Sequence, residues 1–225
     1  MSISKRCLAD ITEIQKEIYI SQGIHYVVDE KDANKGYACI FGPEGTPYED
    51  CPMLYSVTML STYPFDPPVV RFQTCDGATR FHPNMYIDGK VCLSILHTWE
   101  GPKWASTMRL STVLITIQSL MDTQPLRHEP GYVDEVGQKG KDYATFVESR
   151  CIRYILDCVE KKSHTTEIES FQEVFLKRLP KTLERLKIRL EKLLEEGEKS
   201  YELLPYKMFG KTDYGKSLER LKKLI

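Results

Sequence analysis

The chain has no C-x-x-C pair, no apolar run long enough to span a bilayer, no surplus of charge of either sign and no internal repeat or low-complexity tract. Each absence removes a class of function. Its seven cysteines, Cys7, Cys39, Cys51, Cys75, Cys92, Cys151 and Cys158, are odd in number and scattered, which argues against a disulfide framework and offers no zinc-ligand spacing. With 31 Lys and Arg against 32 Asp and Glu, the net charge is −1, and no global basic field exists to hold nucleic acid or an anionic membrane. The opening Met1-Ser2-Ile3-Ser4-Lys5-Arg6-Cys7 turns amphipathic at once instead of building a signal-peptide core. The expectation is a soluble intracellular protein, cytoplasmic and also compatible with the nucleus, that needs neither metal nor cofactor.

What remains is a chain of 225 residues, 41% of them apolar, enough for one sizeable core plus an extension or for two small domains. In residues 4–20, Leu8, Ile11, Ile14 and Ile18 fall at helical spacing with Asp10, Glu13 and Lys16 opposite them, predicting an amphipathic first helix. Four β-like runs follow, at 24–29, 36–41, 53–60 and 69–73, and their short connections predict an antiparallel meander. A helix over 111–122 is predicted with Ser111 as its N-cap and Val113, Leu114, Ile117, Leu120 and Met121 on one face. Ile115 points the other way, beside Ser119, as either a harmless exposed side chain or a docking surface.

Another helical stretch, from about residue 142, carries Phe146, Ile152, Ile155 and Leu156. Past Lys161-Lys162-Ser163-His164 the composition changes. Residues 168–194 place Phe171, Phe175, Leu179, Leu183, Leu186, Leu190 and Leu193 at alternating spacings of three and four, a stripe that favours folding back on its own domain over a coiled coil, with Pro180 expected to kink or divide the helix. A last short helix is expected within 209–225, through Leu218, Leu221 and Leu224. The fold class is therefore α+β: a four-stranded antiparallel meander flanked by helices, with a core domain over 1–160 and an α-helical C-terminal extension over 161–225.

The chemistry centres on His82-Pro83-Asn84, placed one short loop upstream of Cys92 in an apolar run. A thiol near a fixed side-chain amide, without metal-ligand spacing, points to covalent acyl chemistry with the amide stabilising charge. A cysteine taken without context is more often inert packing. Two further motifs narrow the choice. Gly42-Pro43-Glu44-Gly45-Thr46-Pro47-Tyr48 lies between the second and third strands, and Tyr63-Pro64-Phe65-Asp66-Pro67-Pro68 lies before the fourth. With the His-Pro-Asn turn and the cysteine, in that order, the chain resembles the ubiquitin-conjugating enzymes over roughly residues 5–160. The long loop His97-Thr98-Trp99-Glu100-Gly101-Pro102-Lys103-Trp104 is similar to that of the large, type Z members.

The resemblance implies a UBC-like fold and a carrier function. Cys92 would accept the C-terminal carbonyl of ubiquitin or a ubiquitin-like modifier from an activating enzyme and pass it to a substrate lysine or a ligase. Asn84 would stabilise the oxyanion or hold its loop, His82 would tie the turn as a structural residue, and Gly89 would permit close approach to Cys92. Many relatives carry, downstream of the second helix, an acidic residue that helps orient or deprotonate the incoming lysine. Within Gln124-Pro125-Leu126-Arg127-His128-Glu129 no aspartate stands at the expected place, leaving His128 and Glu129 as candidates. Ile115 and Ser119 would meet the donor ubiquitin, and Phe65 the ligases. Asp10, Thr12 and Glu13 stand where relatives present basic residues to the activating enzyme, which would weaken or redirect that encounter. Partners implied are ubiquitin, the activating enzyme, ligases and substrate proteins, with neither nucleic acid nor membrane. The rival readings are a catalytically silent binding module of the same fold and a Cys-His hydrolase, for which His82, His97 and His128 are available without a recognisable motif.

Overall fold

Helix α1 (Lys5–Ile14) starts at Ser4, whose hydroxyl accepts from the Cys7 N–H at 3.1 Å, and ends at Gln15. These come from a computed structural model that describes residues 4–162 and 166–225. The amphipathic start at Met1 to Ile3 and the Ser163-His164 part of the composition boundary lie outside the described residues. The single helix expected over 4–20 is broken: Lys16 is extended, at φ −73° and ψ 151°, and a separate short α2 (Glu17–Ile20) follows. The break lets Tyr19 fold back so that its hydroxyl donates to Glu13 Oε1 at 2.8 Å.

The buried stripe of α1 also differs from the expected one. Cys7, Asp10, Ile11 and Ile14 are inside, whereas Leu8 and Ile18 are 54% and 61% exposed. Asp10 is fully buried because donors converge on it, one from a turn earlier in α1 and two from far along the chain: Arg6 Nε at 3.0 Å, Arg109 Nη1 at 3.0 Å and the Tyr63 hydroxyl. Glu13 is likewise engaged, by Arg109 at 2.7 Å and by the Ser111 hydroxyl at 3.0 Å. The acidic residues of α1 are thus consumed internally and are not free charges facing a partner. Asp10→Ala is expected to destabilise the chain by about 3 kcal/mol, since one carboxylate satisfies three donors while the half-exposed Arg109 can rehydrate. A fall of roughly 10 °C in the thermal midpoint checks this. A change below about 1 kcal/mol would show that Glu13 takes over both arginines.

Strands β1 (Ile24–Val28), β2 (Lys35–Phe41), β3 (Pro52–Thr58) and β4 (Val69–Phe72) form an antiparallel sheet in sequence order, as the alternating pattern predicts. Register places Tyr26, Ala38, Tyr55 and Phe72 side by side on one buried face. Helix α3 (Leu110–Leu120) packs against α1 and β2. Its N-cap is Arg109 rather than Ser111, which sits inside the helix with its hydroxyl committed to Glu13. Helix α4 (Gln138–Val159) begins about one turn earlier than expected.

The C-terminal stripe is one helix, α5 (Gln172–Glu196), preceded by a 3-10 turn over Thr166–Phe171. Pro180 lies inside α5 without dividing it. A two-stranded ribbon of β5 (Ser200–Tyr201) and β6 (Gly210–Lys211) leads to α6 (Tyr214–Lys222). Phe171, Phe175, Leu186, Leu190, Tyr214 and Leu221 join the same continuous core as the sheet. Arginines tie the extension down: Arg185 pairs with Asp50 and with Glu44 at 2.9 Å, Arg189 with Glu148 at 2.7 Å, and Arg220 with Asp157 at 2.6 Å. Among the described residues, no helix is long and apolar enough to cross a membrane.

Candidate active site

The chain leaves β4, makes a turn around Tyr86 to Lys90 and returns through Cys92. Phe72 N–H donates to Gly89 O at 2.8 Å and Tyr86 N–H to Lys90 O at 2.9 Å. Gly89 has φ 88°, and a Cβ there would meet the Phe72 carbonyl oxygen at 2.9 Å. Its smallness thus serves an approach to β4, where the expectation was an approach to Cys92.

Cys92 and Asn84 are joined twice. Cys92 N–H donates to Asn84 O at 2.8 Å, and the Asn84 side-chain amide donates to Cys92 O at 2.7 Å. The amide therefore holds the segment that carries the thiol, and Asn84 Oδ1 is buried with no partner among the described residues. Thr98 secures the other side, its hydroxyl donating to Val91 O at 2.6 Å and accepting from Leu93 N–H at 2.9 Å. Cys92 itself is 2% exposed.

His82 is fully buried, and its Nδ1 accepts the Asn84 N–H at 3.0 Å. Burial first, and then the neighbouring His128, hold its pKa well below the ordinary 6.5, so the ring is neutral and an acceptor. His25, on β1, is lowered to about 4 by burial and by Arg178. Both rings take up a proton near 6.5 in the unfolded chain and resist it in the folded one. Unfolding therefore binds protons, and stability falls as pH drops below about 6.5, with a limiting slope of about 1.4 kcal/mol per pH unit for each ring and less for the partly solvated His25. The thermal midpoint is expected to fall between pH 7 and pH 5, and His25→Gln to reduce that fall. An unchanged midpoint would mean that both rings titrate alike in the folded and unfolded chains.

The His128 ring lies 5.1 Å from that of His82, and His128 Nε2 sits 3.0 Å from Asp122 Oδ2. Asp122 lies just past the C-cap of α3, six residues upstream of His128, and is brought to the ring by the intervening turn. The pair lines a cavity of about 420 Å³ together with Thr123, Gln124 and Arg127. Glu129 is engaged elsewhere, its Oε2 accepting from the Tyr206 hydroxyl at 2.6 Å. Ile115 is 41% exposed and, with Ser119, faces a cavity of about 720 Å³ whose far wall is α5, at Lys177, Lys181 and Arg185. Phe65 is 81% exposed on a loop anchored by its neighbours, Trp104 Nε1 donating to Pro64 O at 2.7 Å. Among the described residues, no group of three or more His, Cys, Asp or Glu is placed to hold a metal.

Comparison with known proteins adds to this geometry. The family described as "Ubiquitin-conjugating enzyme" matches residues 6–151, which include the whole of the His82, Asn84 and Cys92 arrangement. "Ubiquitin-conjugating enzyme E2 Z" of Xenopus tropicalis is 46% identical over 131 residues, 58% of this chain and 41% of that protein. The Homo sapiens protein of the same name is 41% identical over 160 residues, 70% of this chain and 45% of the relative. The chain thus spans less than half the length of the curated relatives it matches. A solved E2 domain of a Toxoplasma gondii ubiquitin conjugating enzyme aligns with a TM-score of 0.46 at 23% identity, over 64% of this chain and 92% of its own. By its matched residues and its relatives, and with the α+β architecture described above, the chain belongs to the ubiquitin-conjugating enzyme family.

Proposed function

We propose that Cys92 accepts the C-terminal carbonyl of ubiquitin or a ubiquitin-like modifier as a thioester and passes it to a lysine amine or a ligase. The observation that carries this reading is the double link between Asn84 and Cys92, which ties the backbone of the cysteine to the residue whose side-chain amide would act beside it. One sulfur serves both half-reactions: the thiolate attacks the incoming thioester carbonyl and expels the activating enzyme's thiolate, then leaves when an amine attacks. The strongly buried neutral His82 is suited to bracing the turn and poorly placed for proton transfer. His128, with Asp122 behind it, is the better candidate for orienting the incoming lysine; Glu129 is held by Tyr206.

In this reading Ile115 and Ser119 receive the donor modifier, the exposed Phe65 receives a ligase, and residues 1–160 are the catalytic unit with 161–225 as its helical extension. Its partners are the modifier, an activating enzyme, ligases and substrate proteins in the cytoplasm or nucleus. A catalytically silent module is the second reading, favoured by the 2% exposure of Cys92. A charging assay with ATP, ubiquitin and a panel of activating enzymes separates the two on non-reducing gels. A thiol-sensitive adduct is the expected result, and its absence with every activating enzyme and modifier tried would sink the carrier reading.

A further inference from the structure

The segment that returns between β5 and β6 reaches the His-Pro-Asn turn, although it lies far beyond the residues matched to the family. Arg80 is 8% exposed and pairs with no carboxylate among the described residues. Its guanidinium donates instead to the carbonyls of His82, at 3.1 Å, and Pro83, at 2.6 Å, the two residues directly before Asn84. A buried cation is costly without compensation, and two ring faces supply part of it. The guanidinium carbon lies 3.3 Å from the Tyr86 ring centre and 4.9 Å from that of Tyr206.

Tyr206 also reaches the opposite wall. Its hydroxyl donates to Glu129, adjacent to the His128 that packs on His82 and holds Asp122. Its backbone, at φ 63°, and that of Lys207, at φ 59°, are in the left-handed region, which costs about 1 kcal/mol or more per residue outside glycine. The conformation is held by Leu204 N–H donating to Met208 O at 2.7 Å and by Arg80 N–H donating to Met208 Sδ at 3.1 Å.

We propose that Tyr206 is a positioning residue of the active site: its ring steadies Arg80 and through it the Asn84 turn, and its hydroxyl fixes the Glu129 and His128 wall that the incoming amine meets. The inference rests on the acyl-transfer reading. It assigns the C-terminal extension a part in transfer that sequence likeness within residues 6–151 does not contain.

The test uses the full chain with Cys92 preloaded, comparing loading, thermal midpoint and single-turnover discharge onto free lysine. Tyr206→Phe keeps the ring over Arg80 and removes only the bond to Glu129. It is expected to load within about twofold of wild type and to discharge about tenfold more slowly, through a lower maximal rate rather than a higher lysine requirement. Its midpoint should stay within about 2 °C. Tyr206→Leu removes both contacts and is expected to discharge about 100-fold more slowly. Unchanged discharge in Tyr206→Phe overturns the proposal, as does a parallel fall of loading, discharge and midpoint, which is what a purely structural side chain gives. Failure of the wild-type chain to load overturns the acyl-transfer reading itself, a result separate from either.

Discussion

Cys92→Ser is expected to give an adduct that survives thiols and discharges to lysine on the order of 10³-fold more slowly than the wild-type adduct, about 4 kcal/mol of added barrier. The reason lies in the leaving group. An alcohol is a far weaker acid than a thiol, so the ester formed on serine resists both thiolysis and aminolysis, whereas the thioester expels a stabilised thiolate. The substitution is close to isosteric at a site that is 2% exposed, so the fold and the Asn84 links to the backbone of residue 92 are retained. Unchanged thermal stability alongside a thiol-resistant band on denaturing gels checks the assignment. A thiol-sensitive band that persists in the serine variant would move the nucleophile to another cysteine, Cys75 first, as the one cysteine of the chain that is not buried.

Asn84→Ser is expected to leave loading within a few-fold and to slow transfer to lysine about 100-fold, the size of effect given by removing one oxyanion donor. The amide now donates to the Cys92 carbonyl at 2.7 Å. It can act on the reaction in either of two ways: by keeping the thioester strand in place, or by turning to the oxyanion as the tetrahedral intermediate forms. Serine is too short to do both. Loading requires the thiol to be reached, and the backbone links from Cys92 N–H to Asn84 O and from Asn84 N–H to His82 survive the change. Transfer depends on charge developing beside the missing amide. Separate rate constants for loading and for lysine discharge decide the matter, and a matched fall in both with a lowered thermal midpoint would make Asn84 a purely structural residue.

The sheet and most helices were legible because their signals are local. Alternation along each strand and short turns are enough for the meander, and the stripe from Phe171 to Leu193 is enough for α5. Cys92 and Asn84 were legible as a pair because only one short loop separates them. Asp10 was not, since a helical wheel sends a carboxylate outward and nothing near it in sequence announces Tyr63 or Arg109, 53 and 99 residues away. Ser111 misled for the same reason: the residue looks like a cap, and its hydroxyl is claimed by Glu13 across 98 residues. Asp122 has no signal of its own in the sequence, since it closes an apolar helical stripe and meets His128 only when the turn between them folds back. The bracing of Arg80 by Tyr206 has no local signal at all.

That bracing has a consequence during synthesis. Arg80 and Met208, which meet in the finished fold, are 128 residues apart. At ribosomal speeds, on the order of 10 s passes between their appearance. For that interval a nascent chain holds a complete cysteine loop and an Arg80 whose cation lacks one of its two aromatic covers. The loop that carries Cys92 thus exists before the segment that covers Arg80, and a prematurely ended translation product would leave the apolar core around the sheet without the C-terminal residues that complete it.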